Sequence, residues 1–432
     1  MKAGEFRALP SEGNVVGVIE VSSKSTGNML VEAYRKAAAS GVSRLKEFRN
    51  PKIVLDCAYA GQAVAEGAYL SQYAYDKFIK KDAEEVEVVP EFKCLQKEYE
   101  GEFNKGKTIA ECQNWARHLA DTPANLKPPQ QFVKIVEEKF KEVPQVKVVV
   151  RDENWIKNEK MNLFYSVAVG SDQPPRLLEL HYKPQNAKNA EPIVLVGKGV
   201  TFDAGGISLK PSANMGLMKG DMGGAASVIS TLLAIAKLNV PVNIVVLTPL
   251  TENLPSGKAT KPGDLFVGRN GVSVEVDNTD AEGRMILADT LDYAHSFNPK
   301  LIIDVATLTG AMDVALGPLY SGVFCNDDEL FSNLHKAGEE TFDRVWRMPL
   351  DDQYKELMKT NVADMKNSGG RSGGSCTAAI FLKQFIKDKQ KWAHIDMAGV
   401  MDVSGPSGYY KQKGMTGRPT RMLVNFIEDQ SK

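Results

Sequence analysis

The sequence predicts an α/β protein: a small N-terminal α/β domain, then a larger three-layer α/β domain whose helices cover both faces of a largely parallel, mixed sheet. Three observations carry this. Beyond residue 125, apolar residues come in near-continuous runs at 193–196, 242–247, 301–305, 321–325 and 393–397, the pattern of strands buried on both faces. Helical periodicity at 223–238, 282–297 and 375–387 separates those runs, as in sheets whose strands are joined through helices. The turn-forming cluster Asp121-Thr122-Pro123-Ala124-Asn125, with Pro128 and Pro129 after it, punctuates the chain between the two parts.

In chain order, 52–57 reads as a strand and the Ala-rich stretch 61–80 as a helix. A charged segment, 80–107, leads into a helix ending at Ala120. This places an accessory domain at 1–105, a linking helix and turn at 106–124, and the main domain at 125–432, which opens with a strand at 146–150. Gly223-Gly224 reads as a helix start and 368–375 as a flexible loop, since neither matches a phosphate-binding glycine pattern. Ser375 is expected to cap the helix that follows it, and Cys376, with no histidine motif nearby, to lie in the core.

Composition narrows the function. A chain of 432 residues, 43% hydrophobic and 25% charged, is an ordinary globular protein with a substantial core. Its 53 basic and 54 acidic residues leave a net charge of -1, which gives no general field for nucleic acid or acidic membranes. The apolar stretch 225–236 is interrupted by Ser227, Ser230 and Thr231 and falls short of the roughly 20 residues that span a bilayer. Residues 1–13 have neither an apolar core nor a small-residue cleavage site, so no secretory signal is expected. The five cysteines contain no C-x-x-C pair, which fits a reducing compartment such as the cytoplasm. The five histidines form no H-E-x-x-H, which argues against a histidine-ligated zinc protease.

Chemistry concentrates in four acids at the ends of elements. Asp280 and Glu282 stand two apart in Asp277-Asn-Thr-Asp-Ala-Glu-Gly-Arg284, after a strand expected over 272–276. Residues two apart share no helix face, so the pair converges only if the helix begins at about Glu282 or later. Asp203 closes Gly197-Lys-Gly-Val-Thr-Phe-Asp203, and Asp221 precedes the Gly-Gly helix start. Four carboxylates in one pocket cannot all stay ionised without compensation, and two divalent cations supply it. Lys210 and Arg284 would then make the pocket positive and ready for an oxyanion. Lys198, beside a dication, would be a neutral nitrogen ligand. Such an oxygen-rich set with one nitrogen admits Mn, Mg, Zn or Co.

The segments Gly197–Asp203, 205–211, 221–225, 278–284 and 306–311 resemble, in order and spacing, those of the leucine aminopeptidase (cytosol aminopeptidase) family, over about residues 105–432. The resemblance implies a two-metal exopeptidase, assembled as a hexamer, that removes N-terminal residues, often leucine, from peptides with a free amine. It implies one metal on Asp203, Asp280 and Glu282, and a second on Lys198, Asp203, Asp221 and Glu282. The attacking group would be a hydroxide bridging the two ions. Lys210 would stabilise the oxyanion, Arg284 would hold a bicarbonate acting as general base, and Met218, Thr307, Ala398 and Met401 would line the pocket for the first side chain. The accessory domain is shorter than usual for such a family, and a missing strand there would expose a sheet edge. A catalytically silent member and a nucleic-acid-binding member are the alternatives. The neutral charge weighs against the second, and the complete set of five ligands with Lys210 and Arg284 against the first.

Overall fold

The computed structural model describes residues 4–11, 14–22, 24–48, 52–80, 90–403 and 408–432. Among them, nine strands form the central sheet. In spatial order these are Val345–Arg347, Ser321–Cys325, Trp392–Asp396, Leu301–Ala306, Ile193–Gly197, Ile244–Asn253, Arg176–Tyr182 and Val146–Arg151. The ninth, Gly199–Asp203, pairs with the C-terminal half of Ile244–Asn253. The four strands from Trp392–Asp396 to Ile244–Asn253 run parallel. Antiparallel pairs lie toward the edges, between Ser321–Cys325 and Trp392–Asp396 and on both sides of Arg176–Tyr182.

Side chains of the central strands alternate between two apolar layers, as a period of two requires. Ile193, Leu195, Ile244, Val246, Ile303 and Val305 pack with residues of helices Glu100–Asp121, Gly223–Lys237 and Thr420–Gln430. Val194, Val196, Val245, Leu247 and Ile302 face the other way, toward helices Asn162–Ala168, Glu282–Ala294 and Gly374–Lys383. Each of these strand side chains is buried, which stabilises by about 1.5–3 kcal/mol apiece relative to exposure. Helices on both faces are therefore the reason the runs show no polar alternation. Because the four central strands are parallel, their carboxyl ends share one edge, and Lys198, Asn253, Thr307 and Asp396 stand there.

Before residue 100 lie the antiparallel pair Phe6–Ser11 and Asn14–Ile19, the parallel pair Lys52–Leu55 and Glu91–Cys94, and helices Gly27–Leu45 and Gly61–Leu70. Helix Glu100–Asp121 packs against both Gly61–Leu70 and Gly223–Lys237. Buried ion pairs join the same regions: Arg35 Nε lies 2.7 Å from Glu66 Oε2, and Arg421 Nη1 and Nη2 lie 3.5 Å from Glu66 and 3.1 Å from Asp343. Among the described residues no helix is long and apolar enough to cross a membrane.

Several local expectations change. The helix expected over 61–80 ends at Leu70, where Ser71 Oγ and Gln72 Nε2 both donate to the Ala68 carbonyl and displace the backbone donor that would continue it. The strand expected over 52–57 is Lys52–Leu55. The charged segment 80–107 holds Glu91–Cys94 and the start of the Glu100 helix, while 81–89 lie outside the described residues. Pro128 and Pro129 do not simply close a turn: helix Pro129–Phe140 begins there, since proline at the first helical position has no N–H to lose. Ser375 is not the cap of its helix, because Gly373, at φ 62°, precedes Gly374–Lys383 and no side chain caps it. Residues 272–276 supply only Ser273–Glu275, which pairs with Leu265–Val267 and Met365–Lys366 in a separate sheet. Asp280 thus reaches the site from a loop outside the central sheet, and Glu282 from the start of the helix that follows it.

Candidate metal centre

Each acid is delivered by a different element. Asp203 ends strand Gly199–Asp203, and its Oδ1 accepts from Asn253 Nδ2 and the Gly205 N–H, both at 2.9 Å. Asp221 follows the 3-10 turn Met215–Gly220 and precedes helix Gly223–Lys237. That helix starts hard against the sheet, with the Ala225 N–H donating to the Lys198 carbonyl at 2.9 Å. A Cβ on Gly224 would stand 2.0 Å from the Val305 oxygen, so only glycine permits this approach. Glu282 is the first residue of helix Glu282–Ala294, where the helix dipole favours an anion. Lys210 is carried by a loop that turns at Gly205 (φ 92°) and Gly206 (φ 69°).

These elements bring the carboxylates together. One oxygen from each of Asp203, Asp221 and Glu282 lies within 4.8 Å of the others, and all three residues are buried. Lys198 Nζ sits 2.8 Å from Asp221 Oδ2 and 2.9 Å from Glu282 Oε1, and donates to the Thr307 carbonyl at 3.0 Å. Lys210 Nζ lies 2.7 Å from Asp203 Oδ2 and 2.5 Å from Asp280 Oδ1. Asp280, half-buried, is thereby linked to the cluster through Lys210.

The electrostatics are those of a site short of positive charge. Burial, with Glu282 close by, pushes the Asp203 carboxyl up to about 6. Asp221 is driven well above the usual carboxylate range by burial against Lys198's counter-pull, and Asp280 is raised by burial and Glu282. Glu282 is also penalised by burial, but Lys198 and Lys210 outweigh that and hold it low. Those carboxylates in turn outweigh the burial penalty on Lys198 and raise its ammonium above the usual lysine value. A neutral Lys198 amine, the form expected from the sequence, thus requires a dication as the competing charge.

The donor set fits divalent cations. Among the described residues, Asp221 Oδ2 and Asp280 Oδ1 are buried acceptors with no aligned hydrogen bond, lying 2.8 Å and 2.5 Å from the Lys198 and Lys210 ammonium groups. Hard oxygens and one amine converging at this spacing suit Mn, Zn, Mg or Co. Arg284, buried, donates from Nη1 to the Asn367 carbonyl at 2.8 Å and keeps a buried Nε–H with no acceptor. Burial lowers its pKa to about 10, so it remains a cation at neutral pH with a donor free for an anion.

Of the pocket residues, Thr307 and Met401 approach the Asp221 turn. Thr307 Oγ1 donates to Asp221 Oδ1 at 2.8 Å, and Met401 borders a small apolar hollow with Met397, Met415 and Gly220. Met218 is half-buried and contributes its carbonyl to the Asp221 N–H at 3.3 Å, and Ala398 N–H donates to Asp396 Oδ1 at 3.2 Å.

Two residues of the site went unread in the sequence. Asn253 Nδ2 donates to Asp203 Oδ1 and to the Thr279 carbonyl at 3.0 Å, with Glu282 Oε2 at 3.5 Å, so one amide braces both central carboxylates. Its place at the carboxyl end of a central apolar strand was the available signal. Asn367 Oδ1 accepts from the Asp277 and Asn278 N–H groups, and its Nδ2 donates to the Asn278 carbonyl at 2.7 Å, clamping the loop that carries Asp280. Nothing local in the sequence marks it.

A buried carboxylate and lysine cluster at the carboxyl edge of a mostly parallel three-layer sheet defines an α/β protein with a candidate metal centre. The sequence pattern of the cytosol aminopeptidase family's catalytic domain matches residues 114–424. The cytosol aminopeptidase of Dictyostelium discoideum is 48% identical over 429 residues, covering 96% of this chain and 82% of that protein, and that of Bos taurus is 49% identical over 92% and 76%. Among solved structures, the bottromycin maturation enzyme BotP in complex with Mn superposes with a TM-score of 0.91 at 32% identity, over 100% of this chain and 94% of that one. A tomato leucine aminopeptidase mutant gives 0.88 at 29% identity, over 99% and 84%. The chain belongs to the cytosol aminopeptidase family, peptidase family M17, whose members are metal-dependent hydrolases of peptide bonds.

Proposed function

We propose that this aminopeptidase uses two divalent cations per chain to release N-terminal residues, preferably leucine or other apolar ones, from peptides with a free N-terminus. The observation that carries the reading is the mutual approach, within 4.8 Å, of oxygens from Asp203, Asp221 and Glu282, with the Lys198 amine against the last two. Asp203, Asp280 and Glu282 would hold one ion, and Lys198, Asp203, Asp221 and Glu282 the other. When bound, the pair supplies Lewis-acid polarisation of a carbonyl and a lowered pKa for water.

The chain's own groups do the rest. Asn253 keeps Asp203 and Glu282 pointed inward. Lys210, the more exposed of the two lysines at 21%, is placed to donate to the oxyanion that develops as the scissile carbonyl is attacked. Arg284 Nε–H, which meets no acceptor among the described residues, offers a donor to an anion beside the centre, and bicarbonate there would act as the proton acceptor. Thr307, Met218, Ala398 and Met401 would receive the first side chain, with the methionines favouring flexible apolar residues. We further assign 1–105 as an accessory domain, 106–124 as the link and 125–432 as the catalytic domain, in a cytoplasmic homohexamer. The alternatives of a silent or nucleic-acid-binding member have no feature in their favour.

Elemental analysis of purified protein, with leucyl-amide hydrolysis before and after chelation, tests the reading. Two ions per chain and activity lost to chelator and restored by Mn or Zn are expected. Less than one ion per chain in an active preparation overturns it.

A further inference from the structure

Lys127 is fully buried, although the sequence gives it the look of an ordinary loop lysine between a 3-10 turn, Ala124–Leu126, and helix Pro129–Phe140. Its Nζ donates to the carbonyls of Leu119 at 2.7 Å, Ala120 at 3.1 Å and Lys219 at 2.7 Å. Met222 Sδ lies 3.2 Å away. Leu119 and Ala120 occupy the last turn of helix Glu100–Asp121, where backbone carbonyls lack helical partners and a cation is favoured. Three converging carbonyls match the three donors of one ammonium. Burial, with Lys219 nearby, pulls its pKa well below the usual lysine range, yet only the protonated form satisfies all three acceptors.

The third carbonyl and the sulfur are what turn a helix cap into something more. Lys219 and Met222 flank Asp221, two residues before it and one after. Asp221's own carboxylate is steered by Thr307 on one oxygen and faces Lys198 on the other. Its backbone, by contrast, hangs on a 3-10 turn whose long 3.3 Å bond to the Met218 carbonyl is a weak tether.

We propose that Lys127 is a positioning residue for Asp221, an ammonium pin that ties the Lys219 carbonyl before this acid and the Met222 side chain after it to the end of helix Glu100–Asp121. The inference rests on the two-ion reading, in which Asp221 serves only the ion also held by Lys198. Releasing the pin lets Asp221 drift, so it weakens that ion and leaves the one on Asp203, Asp280 and Glu282 in place. Loss of an outer partner of a metal ligand lowers affinity about 10- to 100-fold.

The test is a Mn2+ titration of chelator-stripped full-length protein, alongside thermal melts, for wild type, Lys127→Met, Lys127→Gln and Val136→Ala. Val136 is buried in helix Pro129–Phe140, the helix that follows Lys127, and controls for general loosening. In Lys127→Met one binding step is expected to weaken about tenfold or more with the other unchanged, and Lys127→Gln, which keeps an N–H donor, to fall between. Val136→Ala is expected to lower the melting temperature and leave both steps alone. Both steps unchanged in Lys127→Met, or in Lys127→Gln where Lys127→Met does not fold, overturns the pin. So does equal weakening in Val136→Ala. A wild-type titration with fewer than two steps instead overturns the two-ion reading itself, and the pin with it.

Discussion

Gly283→Ala tests the placement of Lys198 without substituting any proposed ligand. A Cβ on Gly283 would stand 2.5 Å from Lys198 Cε, 2.7 Å from its Nζ and 2.9 Å from Leu308 Cδ1. Carbon atoms in contact rest at about 3.5 Å or more, so the methyl overlaps the lysine by about 1 Å. Lys198 has nowhere to retreat, because its side chain is only 3% exposed and lies between Asp221 and Glu282. Overpacking of this kind costs about 1–3 kcal/mol, and replacing glycine within helix Glu282–Ala294 returns about 0.5–1 kcal/mol. The net loss, about 0–2.5 kcal/mol, is small against the stability of a folded domain. The fold should therefore survive while the amine moves by about 1 Å, a displacement that costs roughly 100-fold in kcat/KM. Gly101→Ala is the control, since a Cβ there meets nothing within 4 Å. Melting curves, ion content and leucyl-amide kinetics on both variants decide the matter. Wild-type kcat/KM and full ion content in Gly283→Ala would refute the placement of Lys198 at the centre.

Lys210→Met should lower kcat about 100- to 1000-fold with ion content retained, as loss of an oxyanion donor does, and unchanged kcat removes Lys210 from the chemistry. Arg284→Ala should lower the rate about 100-fold, and added bicarbonate should not restore it; recovery with bicarbonate contradicts the role given to the arginine. Asn253→Ala removes the donor shared by Asp203 and Glu282, so both ions should bind about 10- to 100-fold more weakly; equilibrium dialysis showing only one affected points to a different ligand geometry. Burial pushes the Glu179 carboxyl up, but hydrogen bonds from His181 and Arg151, with Tyr293, outweigh it and hold it below its ordinary 4.5. Its contribution is therefore fully present above about pH 4.5 and is lost as pH falls through the lower, folded value. Glu179→Gln should destabilise by about 1–3 kcal/mol at neutral pH and flatten the acid limb of urea stability; an unchanged limb assigns the acid sensitivity elsewhere.

Much of this was written locally in the chain. The parallel sheet follows from runs such as 193–196, because a strand covered on both faces needs no polar alternation. The helix start at Glu282 follows from the spacing of Asp280 and Glu282. What escaped depended on competition between near-equal local options. Ser71 and Gln72 ended a helix by taking one carbonyl, and Pro129 opened one where proline otherwise marks a turn.

The sequence by itself determined the residue types of the centre and their station at element ends, since burial periodicity and charge crowding are properties of short segments. Only the tertiary structure decided that Asp203, Asp221 and Glu282 meet, that Lys198 lies beside Asp221 and Glu282 as a favoured ammonium, and that Asn253 and Asn367 brace these acids and the Asp280 loop. Distances of a few ångströms between segments far apart in the chain are set by how closely helices seat on the sheet, as at Gly224 against Val305. That seating is a sum of packing contacts across the whole domain, which no local stretch of sequence contains.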